Sequence, residues 1–232
     1  MFKTIGYKLR LYRRYLPYPL ILSAFFFSSP ALPASASLDA AVDLLGVAIA
    51  CLGQALRLWA WGSNSTTGLR TRGPYAFMRH PLYAGNFLIG LGLLIIFNAP
   101  LTYLVALPSL ALLYRMVSRA EEGRLEEKWG LAYRGYRTRV PRFFPWRGRA
   151  LREEEPMPFS WRRALDKEHE SICGWIAGAV CLEVYEEVLS YGLRQARREL
   201  LFWSALLFLL GLCQLILSLQ KRKTRRDEAV AA

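Results

Sequence analysis

Long stretches without charged residues alternate with densely charged segments along this chain. Tyr15 to Leu38 is 24 residues without a charge, Leu82 to Tyr114 is 33, and Leu200 to Gln220 is 21. A bilayer core of about 30 Å needs roughly 20 apolar residues of helix. The pattern therefore predicts membrane-spanning helices and disfavours a soluble globule.

The positions of these stretches predict the topology of the first two thirds. The first span is expected from Leu20 to Pro33 after a basic leader, which places the N-terminus in the cytoplasm. Its end, Ala34-Ser35-Ala36, also resembles a signal-peptidase site, so leader cleavage is an alternative. The second span is expected from about Asp43 to Trp61. Asn98-Ala99-Pro100 splits the 33-residue stretch into a helical hairpin, because proline and its neighbours interrupt a helix.

The last third is predicted to be a helical extension. We place the boundary between residues 149 and 150: residues 1–149 form a core of four spans with a cytoplasmic segment, and 150–232 contribute at least the span Leu200 to Gln220. Ser171 to Leu182 has only 12 uncharged residues and is either a further span or an amphipathic helix in the membrane interface. The expected fold is an all-α polytopic membrane bundle of five or six transmembrane helices, with a cytoplasmic cofactor pocket.

Composition narrows the functional classes. The chain has 232 residues, 53% of them hydrophobic, which excludes disorder. Its 31 Lys and Arg against 18 Asp and Glu give a net charge of +13. These basic residues lie beside spans, so the positive-inside bias accounts for them and nucleic acid is not an expected partner. Four cysteines without a C-x-x-C pair and two distant histidines predict no metal site and no disulfide framework.

The first group of candidate functional residues lies around the start of the third span. Pro81 at a first helical position begins that span and puts His80 at its N-cap, beside Arg79. The positive end of a helix next to two basic residues favours an anion. Tyr83 lies one turn further in. A plainer interpretation is a helix start whose arginine faces lipid headgroups.

Glycines mark close approaches in the same region. Gly73-Pro74 predicts a turn. Gly85 and Gly92 are seven residues apart and therefore lie on one helical face, where another helix or a ligand can approach the backbone closely.

A second polar patch follows the fourth span. Glu121 and Glu122 are adjacent, so their side chains point about 100° apart and are expected to serve different partners. One would bind an ammonium group or ribose hydroxyls, and the other would pair with Arg119 or Arg124. Tyr133 and Tyr136 share a helical face, and the segment from Val140 to Pro145 is suited to wall a planar ring. A simpler interpretation, an aromatic belt at the membrane interface, applies to Trp129, Trp146 and Trp161.

Three blocks in this order resemble the integral-membrane methyltransferases, which include isoprenylcysteine carboxyl methyltransferase and the phospholipid N-methyltransferases. The first is Arg79-His80-Pro81-Leu82-Tyr83-Ala84-Gly85, and the second is Glu121-Glu122. The third is Tyr133-x-x-Tyr136-x-x-x-Val140-Pro141-Arg142-Phe143-x-Pro145. The resemblance covers about residues 66 to 146.

This resemblance implies an enzyme that transfers a methyl group from S-adenosylmethionine, bound at the cytoplasmic face, to a lipid or lipid-like acceptor in the bilayer. A carboxylate acceptor would need a cation such as Arg142, and an amine acceptor would need a base such as Glu121 or Glu122; these three are the candidate catalytic residues. The cofactor-binding residues that the resemblance implies are His80, Tyr83, Gly90, Gly92, Glu122, Tyr133, Tyr136, Val140, Pro141 and Arg142.

Two other functions are compatible with the sequence. The R-H-P-x-Y-x-G block is also similar to part of the membrane sterol and steroid reductases, which use NADPH. A non-catalytic anchor or scaffold that binds anionic lipid would suit the basic surface and the long extension. No motif in the sequence indicates which acceptor is methylated. None indicates the oligomeric state either, so a homodimer stays open.

Overall fold

The computed structural model describes residues 36–63, 68–143, 158–195 and 197–230. Within these ranges all regular structure is helical, which confirms the all-α expectation. Five α-helices and one short 3₁₀ helix follow in chain order. They are α1 (Ala36–Gly62), the 3₁₀ helix Gly73–Ala76, α2 (Pro81–Phe97), α3 (Pro100–Arg139), α4 (Trp161–Gln195) and α5 (Arg197–Val230).

The chain forms two compact units, Met1–Ala164 and Leu165–Ala232. Several expectations fall outside the described residues: the first span from Leu20 to Pro33, the cleavage motif before Ala36, and the domain boundary at residue 149. They stay predictions.

A hairpin joins α2 to α3, as the Asn98-Ala99-Pro100 sequence predicted. Asn98 adopts a left-handed conformation with φ of 44°, and its N–H donates to the carbonyl oxygens of Leu94 (3.0 Å) and Ile95 (3.1 Å). This closes α2, and Pro100 in the first turn begins α3 because its missing N–H costs nothing there. Leu94, Ala106 and Leu110 then pack together between the two helices.

Glycines let α1 and α2 pack backbone to backbone. A Cβ on Gly53 would lie 2.6 Å from the carbonyl oxygen of Gly85, and a Cβ on Gly46 would lie 2.7 Å from that of Gly92. Only glycine fits at such distances, so the predicted close approach at Gly85 and Gly92 is confirmed, and the approaching group is a helix.

Two described helices are long and apolar enough to cross a membrane, Ser37–Gly62 within α1 and Pro100–Arg139, which is α3. Shorter apolar helices run over Pro81–Phe97 and Leu200–Ile216. α3 has 40 residues with a bend at Gly130, so its part before the bend, Pro100 to Trp129, is about 45 Å long and exceeds the thickness of the hydrocarbon core. The apolar first part of α3 ends at Tyr114, and charged residues follow from Arg115 onward. The helices support a membrane location, and the count of five or six spans stays a prediction.

The second half of α3 bends at Gly130, which has φ of 52° and ψ of −122°. The turn directs Tyr133 and Tyr136 inward, where both are buried and pack with Val140. This bend brings the end of α3 back toward the loop before α2.

The second unit contains most of α4 and all of α5. Ser171 to Leu182 is part of continuous helix in α4, and whether it crosses the bilayer stays a prediction. Many apolar side chains of α5 are exposed, including Leu201, Phe208 and Leu215. The four cysteines of the chain are free thiols.

Candidate active site

Two backbone hydrogen bonds join the segment before α2 to the segment after α3. The N–H of Arg79 donates to the carbonyl oxygen of Pro141 (2.9 Å), and the N–H of His80 donates to that of Arg142 (3.1 Å). His80 is the N-cap of α2 with Pro81 next to it, as expected. These bonds fix the first and third sequence blocks side by side.

Glu122 of α3 connects both blocks through its side chain. Its carboxylate, only 5% exposed, accepts hydrogen bonds from Nε (2.8 Å) and Nη2 (2.6 Å) of Arg142. Nη2 of Arg79 lies 3.3 Å away, and Nε2 of His80 lies 3.2 Å away. A single buried carboxylate thus joins three basic side chains. Its guanidinium partners are Arg79 and Arg142, whereas the charge of Arg124, one of the two expected partners of the acidic pair, acts on Glu121 and lowers its pKa.

Glu121 holds the other side of the same imidazole. Its Oε2 lies 3.6 Å from Nδ1 of His80, and Tyr83 hydrogen-bonds to the carboxylate. Its side chain is 37% exposed, so it faces open space while Glu122 is enclosed. The two acids therefore have different surroundings, as their adjacent positions predicted.

The cluster shifts the titration of its members. Burial alone would raise the pKa of Glu122, but hydrogen bonds from His80 and Arg142 and the nearby guanidinium charges lower that pKa to about 2. Burial likewise opposes ionisation of Glu121, whose pKa is nevertheless lowered, chiefly by His80 and Tyr83. Burial would lower the pKa of His80, but the two carboxylates together raise it above 6.5. At neutral pH both acids are ionised.

A polar cavity of about 340 Å³ opens beside this cluster. Arg79, 10% exposed, lines it, and the Nε and Nη1 atoms of Arg79 have no hydrogen-bond partner among the described residues. The buried Tyr133 hydroxyl interacts with the Arg79 guanidinium, which opposes the rise in the pKa of Tyr133 that burial causes. The Tyr136 hydroxyl instead donates to the carbonyl oxygen of Tyr75 (2.7 Å). This bond joins α3 to the 3₁₀ helix in the wall of the cavity. Buried donors without partners cost free energy, so their presence here favours a polar ligand.

An apolar cavity of about 230 Å³ adjoins it. Tyr83 lines both cavities, and its ring stacks between those of His80 and Tyr114, with centroid distances of 5.5 and 5.7 Å. Phe143 lines the apolar cavity, and its centroid is 6.0 Å from that of His80. The site therefore pairs a charged chamber with an apolar one across an aromatic side chain.

The structure brings most of the predicted site residues together. Five of them line the polar cavity, and four others form its support behind the wall. The lining residues are His80, Tyr83, Glu121, Tyr133 and Tyr136; the supporting residues are Glu122, Val140, Pro141 and Arg142. Residues 144 and 145 of the third block lie outside the described residues.

The two glycines implied by the resemblance are placed elsewhere. Neither Gly90 nor Gly92 is among the described lining residues of the polar cavity. They lie 10 and 12 residues beyond His80, about 15 to 18 Å along α2. A Cβ on Gly92 would collide with the carbonyl oxygen of Gly46, and one on Gly90 would lie 3.2 Å from Leu110. Their visible role is helix packing.

The sequence did not predict some of the residues that line the site. Tyr75 and Trp129 line the polar cavity, although Trp129 was assigned to an interfacial belt. Tyr114 lines the apolar cavity near the end of an otherwise uniform apolar stretch, where no pattern distinguishes it. Trp129 precedes the bend at Gly130 and Tyr133 follows it, so the tertiary contact of Trp129 with the cluster of Tyr133, Tyr136 and Val140 has no helical spacing in the sequence to announce it.

Comparison with protein families covers the first two sequence blocks and ends before the third. The model of the isoprenylcysteine carboxyl methyltransferase (ICMT) family matches residues 41–127, which confirms the resemblance to membrane methyltransferases over that part of the chain. The match includes most of α1, all of α2, His80 and both acids.

Two curated relatives carry names from metal resistance. One is the nickel-cobalt-cadmium resistance protein NccN of Alcaligenes xylosoxydans xylosoxydans, 38% identical over 109 residues, or 45% of this chain and 48% of the relative. The other is the cobalt-zinc-cadmium resistance protein CzcN of Cupriavidus metallidurans, 37% identical over 108 residues with the same coverage. The alignments thus span about half the length of these relatives. No solved structure matches the chain.

Proposed function

We propose that this protein transfers a methyl group from S-adenosylmethionine to a lipid or lipid-like acceptor at the membrane. One observation carries the proposal: the cluster of His80, Glu121 and Glu122 borders a polar cavity that shares Tyr83 in its wall with an apolar cavity. A charged methyl donor and an apolar acceptor need two such chambers in contact. The family match over residues 41–127 supports the same reaction class.

The residues around the polar cavity fit the methyl donor. Its volume, about 340 Å³, is within the usual range for small-molecule sites. The free donors of Arg79 suit the carboxylate of the donor's methionine part, and the Tyr133 hydroxyl suits a ribose or carboxylate oxygen. Glu121 supplies negative charge for an ammonium or sulfonium. Trp129 and Tyr136 supply apolar ring surface for adenine.

Bound in this cavity, the donor would supply an electrophilic methyl group on a positively charged sulfur. Displacement at that carbon is in line, so the protein's task is alignment and exclusion of water rather than covalent catalysis. Glu122 and Arg142 hold the segment that carries Phe143 against His80. Tyr83 stands in the wall that the two cavities share, and we propose that donor and acceptor approach each other on either side of its ring.

The proposal extends to the membrane arrangement. We place the cavity at the cytoplasmic face in a bundle of five or six spans, with the N-terminus on the same side. The basic residues beside the cavity, including Arg70, Arg79 and Lys128, support this placement through the positive-inside bias.

The names of the relatives state metal resistance. In our proposal, metal resistance is only the physiological setting in which the protein acts. Within the described ranges, no group of three or more His, Cys, Asp or Glu side chains is placed to hold a metal ion. Methylation of a membrane component is the role we assign to this site.

Labelled methyl donor tests the proposal directly. Membranes that contain the protein, incubated with methyl-labelled S-adenosylmethionine, should incorporate label into an extractable amphiphile, and a His80→Ala variant should not. Purified protein should be stabilised against heat by S-adenosylhomocysteine and not by NADPH. Stabilisation by NADPH alone would instead favour a reductase, and stabilisation by neither would favour a scaffold.

A further inference from the structure

We propose that the start of α4 is a positioning element of the donor site, in which Phe159 and Arg163 act through the end of α1. This role rests on the proposed function, and it gives the predicted C-terminal extension a part in binding the methyl donor. The residues concerned belong to the first compact unit, Met1–Ala164. Three successive contacts lead from them to the site: α4 to α1, α1 to the loop before α2, and that loop to the polar cavity.

The start of α4 caps the end of α1. The carbonyl oxygen of Gly62, the last residue of α1, accepts hydrogen bonds from the N–H of Ser160 (3.1 Å) and from Nη1 of Arg163 (3.3 Å). The last four carbonyl groups of a helix have no partner within the helix, and a cation near them is favourable. Arg163 is itself held in place, since its backbone N–H donates to the Ser160 hydroxyl (3.3 Å). The last turn of α1 is therefore completed by a side chain 101 residues later in the sequence.

The absence of a side chain at Gly62 makes room for this contact. A Cβ there would lie 2.1 Å from Cε2 of Phe159, so the ring occupies the space that a side chain would take. The φ of Gly62 is not positive, so its backbone conformation is open to other residues. Phe159 in turn packs edge-on against Trp161, with a centroid distance of 4.8 Å. The glycine thus accommodates the docked ring rather than a special backbone conformation.

The same turn of α1 holds the loop that precedes α2. The guanidinium carbon of Arg70 lies 4.3 Å from the centre of the Trp61 ring, a cation–π contact. A Cβ on Gly73 would lie 2.6 Å from the Cβ of Ser63, so the 3₁₀ helix begins directly against the end of α1. The positions of Arg70 and Gly73 thus depend on an ordered last turn of α1.

This loop forms one wall of the polar cavity. Arg70 and Tyr75 both line that cavity, and the Arg70 side chain hydrogen-bonds to the Tyr75 side chain. Loosening the end of α1 would therefore displace a cation and an aromatic ring of the wall. The cluster around Glu122 is held separately by Arg142, from the segment after α3. The start of α4 thus affects donor binding through the loop and not through the ionic cluster.

Binding of S-adenosylhomocysteine to the full chain in phosphatidylcholine nanodiscs tests this role. Arg163→Ala removes the guanidinium from the Gly62 carbonyl, and Arg162→Ala, at the exposed arginine beside it, is the control. We expect Arg163→Ala to raise the Kd about fivefold or more, on the scale of one lost hydrogen bond. The control should leave the Kd within about twofold, as surface substitutions do. Arg163→Lys keeps a cation near the carbonyl and should raise the Kd less than Arg163→Ala.

Gly62→Ala separates the contact from the stability of α1. Alanine is a better helix former than glycine, so this change does not weaken α1 itself. Its Cβ would, however, displace the Phe159 ring, and we expect the Kd to rise about fivefold or more. In a chain that already carries Phe159→Ala, adding Gly62→Ala should change the Kd by less than about twofold, because the two residues act through one contact.

Hydrogen exchange resolved by segment gives a readout that a general loss of stability would not produce. In Arg163→Ala, amide exchange should quicken about tenfold in residues 59–63 and 68–77 and stay within about twofold in the α2–α3 hairpin, residues 94–103. Labelled methyl donor in membranes should show a raised KM for S-adenosylmethionine with kcat within about twofold, because no substituted side chain touches the reacting groups.

The outcomes separate this role from the proposed function. An unchanged Kd in both Arg163→Ala and Gly62→Ala, although the wild-type chain binds S-adenosylhomocysteine, would overturn the role of α4 and leave the proposed function intact. Exchange that quickens equally in the hairpin would assign the contact to general stability and would also overturn that role. A wild-type chain that binds no S-adenosylhomocysteine would overturn the proposed function and the role of α4 together.

Discussion

Replacing Glu122 by glutamine should destabilise the fold and the donor site together. The change keeps the shape of the side chain but removes the charge that joins Arg142, Arg79 and His80. Two guanidiniums then face each other without their carboxylate. Removing one partner of a buried ion pair costs about 3–5 kcal/mol. Because Arg142 keeps 25% of its side chain exposed, we expect the lower end of that range.

The pKa of Glu122 gives an independent magnitude. Its fall from 4.5 to about 2 corresponds to about 3 kcal/mol of stabilisation of the ionised form, at about 1.4 kcal/mol per unit. Since the folded pKa lies below the unfolded value, this stabilisation is present above about pH 4.5. It is lost as the pH falls from there through about 2.

Unfolding in mixed detergent micelles at pH 7 measures the effect, with Glu126→Gln as the control. Glu126 pairs with Arg134 (2.7 Å) and Arg137 (3.1 Å) on the exposed side of the same helix. Such pairs contribute about 0–1 kcal/mol. We expect a loss of about 3 kcal/mol for Glu122→Gln against less than 1 for the control. Equal losses, together with unchanged binding of S-adenosylhomocysteine, would refute the reasoning.

Three further changes should separate packing from site effects. Gly92→Ala should cost about 1–3 kcal/mol because its Cβ meets the backbone of α1, whereas Gly123→Ala, with open space around it, should be neutral or stabilising in the same unfolding assay. His80→Gln should remove stability below about pH 6.5 and progressively less as the pH rises through the raised folded pKa of His80, which unfolding titrations from pH 6 to 9 would show. Tyr136→Phe should cost about 1–3 kcal/mol, since the buried carbonyl of Tyr75 loses its donor, and thermal unfolding should reveal it; a neutral effect would mean that water replaces the hydroxyl.

Local patterns predicted the elements well. Pro81 set the start of α2 with His80 as its N-cap, and Asn98 and Pro100 set the hairpin. These features depend on the conformational limits of single residues, which the sequence states directly. The helix contact at Gly85 was predicted for the same reason.

Which side chains pair with each other in the site was harder to predict from the sequence. The pairing of Glu122 with Arg142 depends on the bend at Gly130 and on two backbone hydrogen bonds between distant segments. Tertiary contacts of this kind have no local pattern. For the same reason Trp129 was read as an interfacial residue although it lines the polar cavity, and the position of Gly92 in the helix contact was not separable from a cofactor role.

Equilibrium binding of S-adenosylhomocysteine to the purified chain in nanodiscs tests the central claim most directly, because the claim is that two distant segments build one donor site. We predict saturable binding of one molecule per chain, weakened at least tenfold by His80→Gln before α2 and also by Tyr133→Phe near the end of α3. Absence of binding, or binding that neither substitution changes, would contradict the account.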